Sequence, residues 1–321
     1  MAVYTPLSLP DAQRLADAHG LGEVHDVIPI PAGSVNTNHF LDTARGRCFV
    51  RIYEEQEADG VAYEWALLDH LRTAAIPVPE RVAGPGPGAL RVAGKPTALF
   101  ELVHGREICQ QAVTPTRTRA MGRMLARCHR ACADFGWRRA GRFGLPDVRH
   151  RLEAIDPDVR ADLAQARRRL LDVLAEVEAG WPSHLPSGVI HGDLFRDNVR
   201  WQDDTIVALI DWESASDGSY VFDLMVCVLA WCYGTELDWS LARGMVEGYV
   251  AERPLGSDEA GALRTVGLAA AARFACTRIT DFELRPTAAG DQLHKDYRRF
   301  MTRLELLASM SPGRLAERLG L

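Results

Sequence analysis

Lysine is nearly missing from this chain: it occurs only at positions 95 and 295, although arginine is abundant. Asparagine is confined to positions 36, 38 and 198. Charge of one sign never accumulates, because 37 basic and 43 acidic residues are interspersed for a net of −6. This excludes the electrostatic footprint of a nucleic-acid or anionic-membrane binder. No apolar run is long enough to span a bilayer; the most apolar stretch, Val221 to Tyr233, contains Asp223. The first twenty residues carry Asp11 and Asp17 and lack a cationic start followed by an apolar segment, so no signal peptide is expected. The seven cysteines form no C-x-x-C pair. Cys128, His129 and Cys132 come nearest to a metal spacing, but buried free cysteine is an ordinary core residue. These absences point to a cytoplasmic protein with a small-molecule partner, no nucleic acid and no membrane; the sequence leaves monomer or homodimer open.

With 321 residues, 47% of them hydrophobic, the chain exceeds what one core usually holds, so two lobes are expected. Residues 27 to 53 read as strands around the Ala44-Arg45-Gly46 turn, and 57 to 74 switch to helical spacing with Val61, Trp65, Leu68 and Leu71 on one stripe. Further strands are expected at 80 to 83 and 98 to 103, on either side of a Gly/Pro-rich turn. Beyond residue 105 helical patterns dominate, at 116 to 135, 157 to 180, 219 to 233, 239 to 252, 258 to 283 and 290 to 309. A short island of strands surrounds a polar loop between 187 and 213. The expected class is α+β and bilobal, with a small antiparallel-sheet lobe over 1–104 and a larger, mainly helical lobe over 105–321.

The chemistry concentrates in "HGDLFRDN", residues 191–198, and in "TIVALID", which ends at Asp211. His191, Asp193 and Asn198 have the H-x-D-x-x-x-x-N spacing of a kinase catalytic loop, and Asp211 stands where the metal-binding aspartate of the next strand belongs. With only three asparagines available, that spacing has little chance of arising by accident. Asp193 is the expected catalytic base for a hydroxyl attacking the γ-phosphate of ATP. Asn198 and Asp211 are the expected oxygen ligands of Mg²⁺, and His191 is expected to hold the loop by hydrogen bonds.

"VIHGDLFRDNVRW" with "IDWE" resembles the aminoglycoside phosphotransferase and choline kinase superfamily, which implies a protein-kinase-like fold. The segments "MAVYTPLS", "AGSVNTNHF", "DLMVCVLAWCY", "EGYVAERPL" and "ARFACTRITDF" extend the likeness over nearly the whole chain and are similar to those of bacterial homoserine kinases. The resemblance implies that Asp223 braces the catalytic loop from beneath. Two departures bear on the acceptor: Gly192 stands where many homoserine kinases have Ala, and Trp212-Glu213 replaces an aromatic pair.

On the nucleotide side, Gly33, Ser34, Asn36 and Asn38 in "PAGSVNTN" are candidates for covering the phosphates, although a single glycine matches neither G-x-G-x-x-G nor a Walker loop. Arg51 occupies the position of the kinase strand lysine, with Glu64 on the next helix as its partner. Backbone groups of Glu101 and Val103, in "FELVHG", are expected to meet adenine at the junction of the lobes. For homoserine or a similar amino alcohol, Glu213 or Asp217 would meet the ammonium, and Arg273 or Arg278 the carboxylate. Acceptors of the choline or aminoglycoside type, or a catalytically silent binding protein, are the alternatives.

Overall fold

A computed structural model describes residues 4–31, 35–284 and 295–321. Gly33 and Ser34 lie outside the described residues, as does part of the helix expected over 290 to 309. The chain divides into two compact units, one of residues 1–105 with 207–213 and one of 106–206 with 214–321.

The first unit begins with α1 (Leu9–Ala18), a helix outside the sequence expectations. Ser8 caps it by accepting the Asp11 N–H at 3.2 Å, and Ala12, Leu15 and Ala16 form its buried stripe. Strands β1 (Val24–Ile30), β2 (Thr37–Thr43) and β3 (Gly46–Ile52) then form an antiparallel meander. Helix α2 (Ala58–Thr73) follows, then the short β4 (Arg91–Val92) and β5 (Lys95–Glu101). The sheet order is β1-β2-β3-β5-β4, with β5 against β3 in the register Arg51↔Ala98. The strand expected at 80 to 83 is reduced to a single bridge, Arg81↔Phe100. Two hydrogen bonds flank it, Val82 N–H to the Leu99 carbonyl at 3.0 Å and Glu101 N–H to the Glu80 carbonyl at 2.8 Å, and Pro77 and Pro79 just before it supply no amide hydrogens to extend the pairing. Leu15, Leu41, Val50, Ile52, Val92 and Leu99 share the core between α1 and one sheet face.

The second unit contains α3 (Pro115–Ala131), α4 (Leu145–Glu153) and α5 (Ala161–Ala179). Strand β6 (Ser187–Ile190) is followed by the catalytic-loop sequence, then by β7 (Val199–Gln202), β8 (Thr205–Leu209) and β9 (Ser216–Ser219). Helices α6 (Tyr220–Trp231), α7 (Trp239–Glu252), α8 (Ser257–Arg278), α9 (Arg298–Ala308) and α10 (Pro312–Leu319) complete it. The helix expected to reach 283 ends at Arg278 and widens into a π turn over Ile279–Glu283. Strand β6 pairs with β9 in the register Ile190↔Ser216, and α6 continues from β9 without a gap. Every residue of α6 is buried except Phe222, so Asp223 is held in an apolar environment. Among the described residues no helix is long and apolar enough to cross a membrane.

Helices α3 and α7 approach so closely that glycine is required at the contact. A Cβ on Gly248 would stand 2.0 Å from the Arg119 carbonyl oxygen, and one on Gly122 1.9 Å from that of Met245. Both obstacles are backbone and cannot rotate aside. We predict that Gly248→Ala lowers stability by about 2 kcal/mol or more, read as a fall in the urea midpoint. An unchanged midpoint would mean that the helices separate at no cost.

Candidate active site

The catalytic loop rests on one buried carboxylate. Asp223 is fully buried; its Oδ2 accepts the His191 N–H at 2.7 Å and its Oδ1 the Gly192 N–H at 2.8 Å. His129, reaching in from α3, brings Nε2 to 3.2 Å from Oδ2, while its Nδ1 lies 2.8 Å from the Tyr249 hydroxyl. Burial alone would push the Asp223 carboxyl upward, but the His129 contact and the amide hydrogen bond from His191 outweigh it and hold the carboxyl below its ordinary range. His129 moves down because burial disfavours its charged form more than Asp223 favours it. The pair is therefore a carboxylate and a neutral imidazole, and His129 of the Cys128-His129-Cys132 cluster is engaged here.

Gly192 adopts φ +75°, the left-handed region that costs glycine little and other residues about 1 kcal/mol. That turn lets two successive amides point at one carboxylate. Beyond it, the Asp193 N–H reaches His191 Nδ1 at 3.3 Å, and the Asp193 carbonyl accepts both Asn198 Nδ2 at 2.7 Å and the Phe195 N–H at 2.8 Å. Trp231 Nε1 holds the Leu194 carbonyl at 2.9 Å. The backbone on both sides of Asp193 is thus pinned, whereas its side chain remains one-third exposed. On α8, Arg273 brings a guanidinium nitrogen to 3.5 Å from Asp193 Oδ1.

Asp217 lies on β9, where Oδ1 meets Arg138 at 3.2 Å and Oδ2 accepts the Arg139 N–H at 3.1 Å. Asp217 and Arg273 line the same cavity of about 140 Å³. Arg278 does not join them. It donates to the Asp296 carbonyl at 2.9 Å and lies over the Phe300 ring, and burial brings it down to about 10.

In the first unit, Arg51 is buried between two acids, at 3.3 Å from Glu64 and 3.2 Å from Asp211. The strand alternation that turns it from the core does not expose it, because α2 and the 207–213 segment supply carboxylates on that side. Asn38, opposite Arg51 in the β2–β3 register, is also buried. Asp211 has φ +69°, a conformation that a non-glycine residue keeps only when its surroundings impose it.

Glu213 and Asn36 depart from their expected roles. The Glu213 carboxyl is buried and accepts a hydrogen bond from Asn36 Nδ2, while its backbone carbonyl accepts Gln56 Nε2 at 3.1 Å. Burial, and then the charge of Asp211, push that carboxyl up to about 8. Glu213 is buried against Asn36 and is not among the residues that line the cavity with Asp217 and Arg273, so the structure does not bring it to the other acceptor candidates. Asn36 also accepts the Glu54 N–H at 3.2 Å, which ties its side chain within its own unit. The two Glu213 pairings had no sequence signal, since Asn36 and Gln56 lie 177 and 157 residues from it. On β5, the Glu101 N–H donates to the Glu80 carbonyl at 2.8 Å, and Val103 follows in an irregular segment.

These features define a protein-kinase-like phosphotransferase: a five-stranded antiparallel sheet with an acid-paired arginine, and a helical unit carrying a braced H-x-D-x-x-x-x-N loop. Residues 26–256 match the model of the phosphotransferase enzyme family, and the chain belongs to that family. Homoserine kinase from Beijerinckia indica subsp. indica is 34% identical over 300 residues, covering 90% of this chain and 91% of its own. Homoserine kinase from Methylocella silvestris is 33% identical over 322 residues, covering 98% of each. Among solved structures, an amicoumacin kinase in complex with AMP-PNP, Ca²⁺ and Ami superposes with TM-score 0.69 at 15% identity, covering 94% of this chain and 96% of its own. A microcompartment-associated aminopropanol kinase gives TM-score 0.65 at 18% identity, with 95% and 96% covered.

The His129 shift has a testable sign. Unfolded, His129 takes up a proton near 6.5, whereas the buried ring resists it until lower pH. Stability from this source is present above that value and is lost as pH falls toward the native one. Asp223 has the same sign in a lower range: its contribution is present above its ordinary 3.8 and is lost as pH falls below it. Between about pH 7.5 and about pH 5.5, the wild type is predicted to lose more stability than His129→Gln, because only the wild type carries a histidine whose buried, neutral form must compete with protonation of the unfolded chain. Urea titrations at the two pH values measure this, and parallel losses in the two proteins would exclude it.

Proposed function

We propose that this chain transfers the γ-phosphoryl group of ATP to the hydroxyl of L-homoserine, using Mg²⁺. The reading is carried by full-length similarity to proteins named homoserine kinase, at 32–34% identity over about 90% of the chain. The loop geometry supports it independently, because Asp193 has a fixed backbone and an accessible carboxylate. In phosphoryl transfer the protein contributes positioning and charge neutralisation more than bond formation.

Asp193 accepts the proton of the attacking hydroxyl as the new O–P bond forms. Asn198 and Asp211 would hold the metal ion through oxygen. Their chemistry fits it: the Asn198 amide nitrogen donates to the Asp193 carbonyl, which leaves Oδ1 as the free acceptor, and the Asp211 side chain is one-third exposed. When bound, Mg²⁺ neutralises charge on the phosphate oxygens. Arg51, oriented by Glu64, grips phosphate with a planar fork where related kinases use lysine. Asn38 with Gly33 and Ser34 covers the phosphates, and the backbone from Glu101 to Val103 meets adenine. Asp217 and Arg273, sharing one cavity, are the acceptor residues.

A coupled ATPase assay with homoserine, serine, threonine, choline and kanamycin tests the reading. Selective turnover of homoserine is expected, and Asp193→Asn should lower kcat by about 10³-fold while ATP still binds. Preference for choline or kanamycin, or full activity in Asp193→Asn, would refute it.

A further inference from the structure

Arg273 is a buried cation with too few partners. It interrupts the small, apolar run Ala269–Ala272 and Phe274–Cys276 of α8, and its side chain is only 7% exposed. Its guanidinium lies 4.5 Å from the Phe143 ring centroid and 3.8 Å from that of Phe274. Two rings against one planar cation fix its orientation and strip water from it. The group offers five N–H donors, yet its one hydrogen-bond contact among the described residues is the 3.5 Å approach to Asp193 Oδ1. A buried guanidinium left so under-satisfied costs stability unless a ligand completes it.

The cavity it faces has the right scale and polarity. At about 140 Å³ it falls below the roughly 300–1,000 Å³ of pockets for drug-sized ligands, so it suits a molecule of few heavy atoms. Gly192 of the catalytic loop, Phe143, Ser214 and Asp217 line it together with Arg273. With Arg142 also in its lining, it presents cationic and anionic groups beside the loop that bears Asp193, which matches an ammonium and a carboxylate on one small alcohol; of the two guanidiniums, Arg273 is the one that also reaches Asp193.

We infer that Arg273, clamped by Phe143 and Phe274, receives the carboxylate of the acceptor and makes the enzyme select a hydroxy-amino acid over the corresponding amino alcohol. This rests on the homoserine reading above. Arg278 is not involved, because it does not line this cavity; its Nη1 donates to the Asp296 carbonyl and its guanidinium lies over the Phe300 ring. A bidentate carboxylate contact in a dry site is charge-assisted, and removing the carboxylate leaves the guanidinium unpaired again.

The experiment compares kcat/KM for homoserine and for 3-aminopropan-1-ol, which lacks only the carboxylate. The wild type is expected to prefer homoserine by about 100-fold, and Arg273→Ala to reduce that preference to within a few-fold. Calorimetry without nucleotide should show homoserine binding lost in the variant, with circular dichroism confirming its fold. Should the variant not fold, the wild-type preference still decides: equal kcat/KM for the two alcohols overturns the inference. Equal loss on both alcohols in Arg273→Ala would make Arg273 a positioning residue for Asp193. A raised KM for ATP with the preference intact would assign it to the nucleotide. Either outcome overturns the inference while leaving homoserine turnover, and hence the function, standing. Silence toward homoserine would instead refute the function itself.

Discussion

A single carboxylate beneath a glycine turn organises the catalytic half of this molecule. Asp223 takes two consecutive amides, from His191 and Gly192, and one imidazole, from His129, inside a helix that is otherwise apolar. Buried ionised groups are tolerated only when their hydrogen bonds are satisfied, and here the partners are mostly backbone. The arrangement constrains three things together: the left-handed φ at Gly192, the direction in which Asp193 emerges, and the contact of α3 with α6. The close passage of α3 and α7 at Gly122 and Gly248 serves the same end, since Tyr249 of α7 holds the far side of His129.

The first unit relies on a different electrostatic device. Arg51 stands between Glu64 and Asp211, so one cation ties the sheet, α2 and the segment that returns after β8. Lysine would offer a single point of charge, whereas the guanidinium contacts both acids with separate nitrogens. The scarcity of lysine along the chain is consistent with that choice. Lys95, the one lysine in this unit, pairs with Glu54 instead.

The loop from His191 to Asn198 and the α+β class were legible in the sequence because both are local patterns: a fixed spacing of scarce residues, and a change from period two to helical spacing. The burial of Arg51 was not legible, since alternation shows which side of a strand a residue occupies but not what covers that side. The union of Glu213 with Asn36 spans most of the chain and has no periodic signature. Helix α1 has local start signals in Ser8 and Pro10, but at ten residues with only Ala12, Leu15 and Ala16 buried its apolar stripe is too short to stand out by periodicity. The choice between Arg273 and Arg278 needed three dimensions: five residues apart on one helix, only the first faces the cavity.

Phosphoryl transfer by a positioned base depends on geometry more than on any reactive group, so the central claim concerns the support beneath Asp193. The direct measurement is kcat for homoserine phosphorylation in Asp223→Asn, with KM for ATP and the circular dichroism spectrum followed alongside. The account predicts a loss of about 100-fold in kcat at near-constant KM for ATP, because the amide side chain cannot accept both backbone donors. A kcat within twofold of the wild type would contradict it.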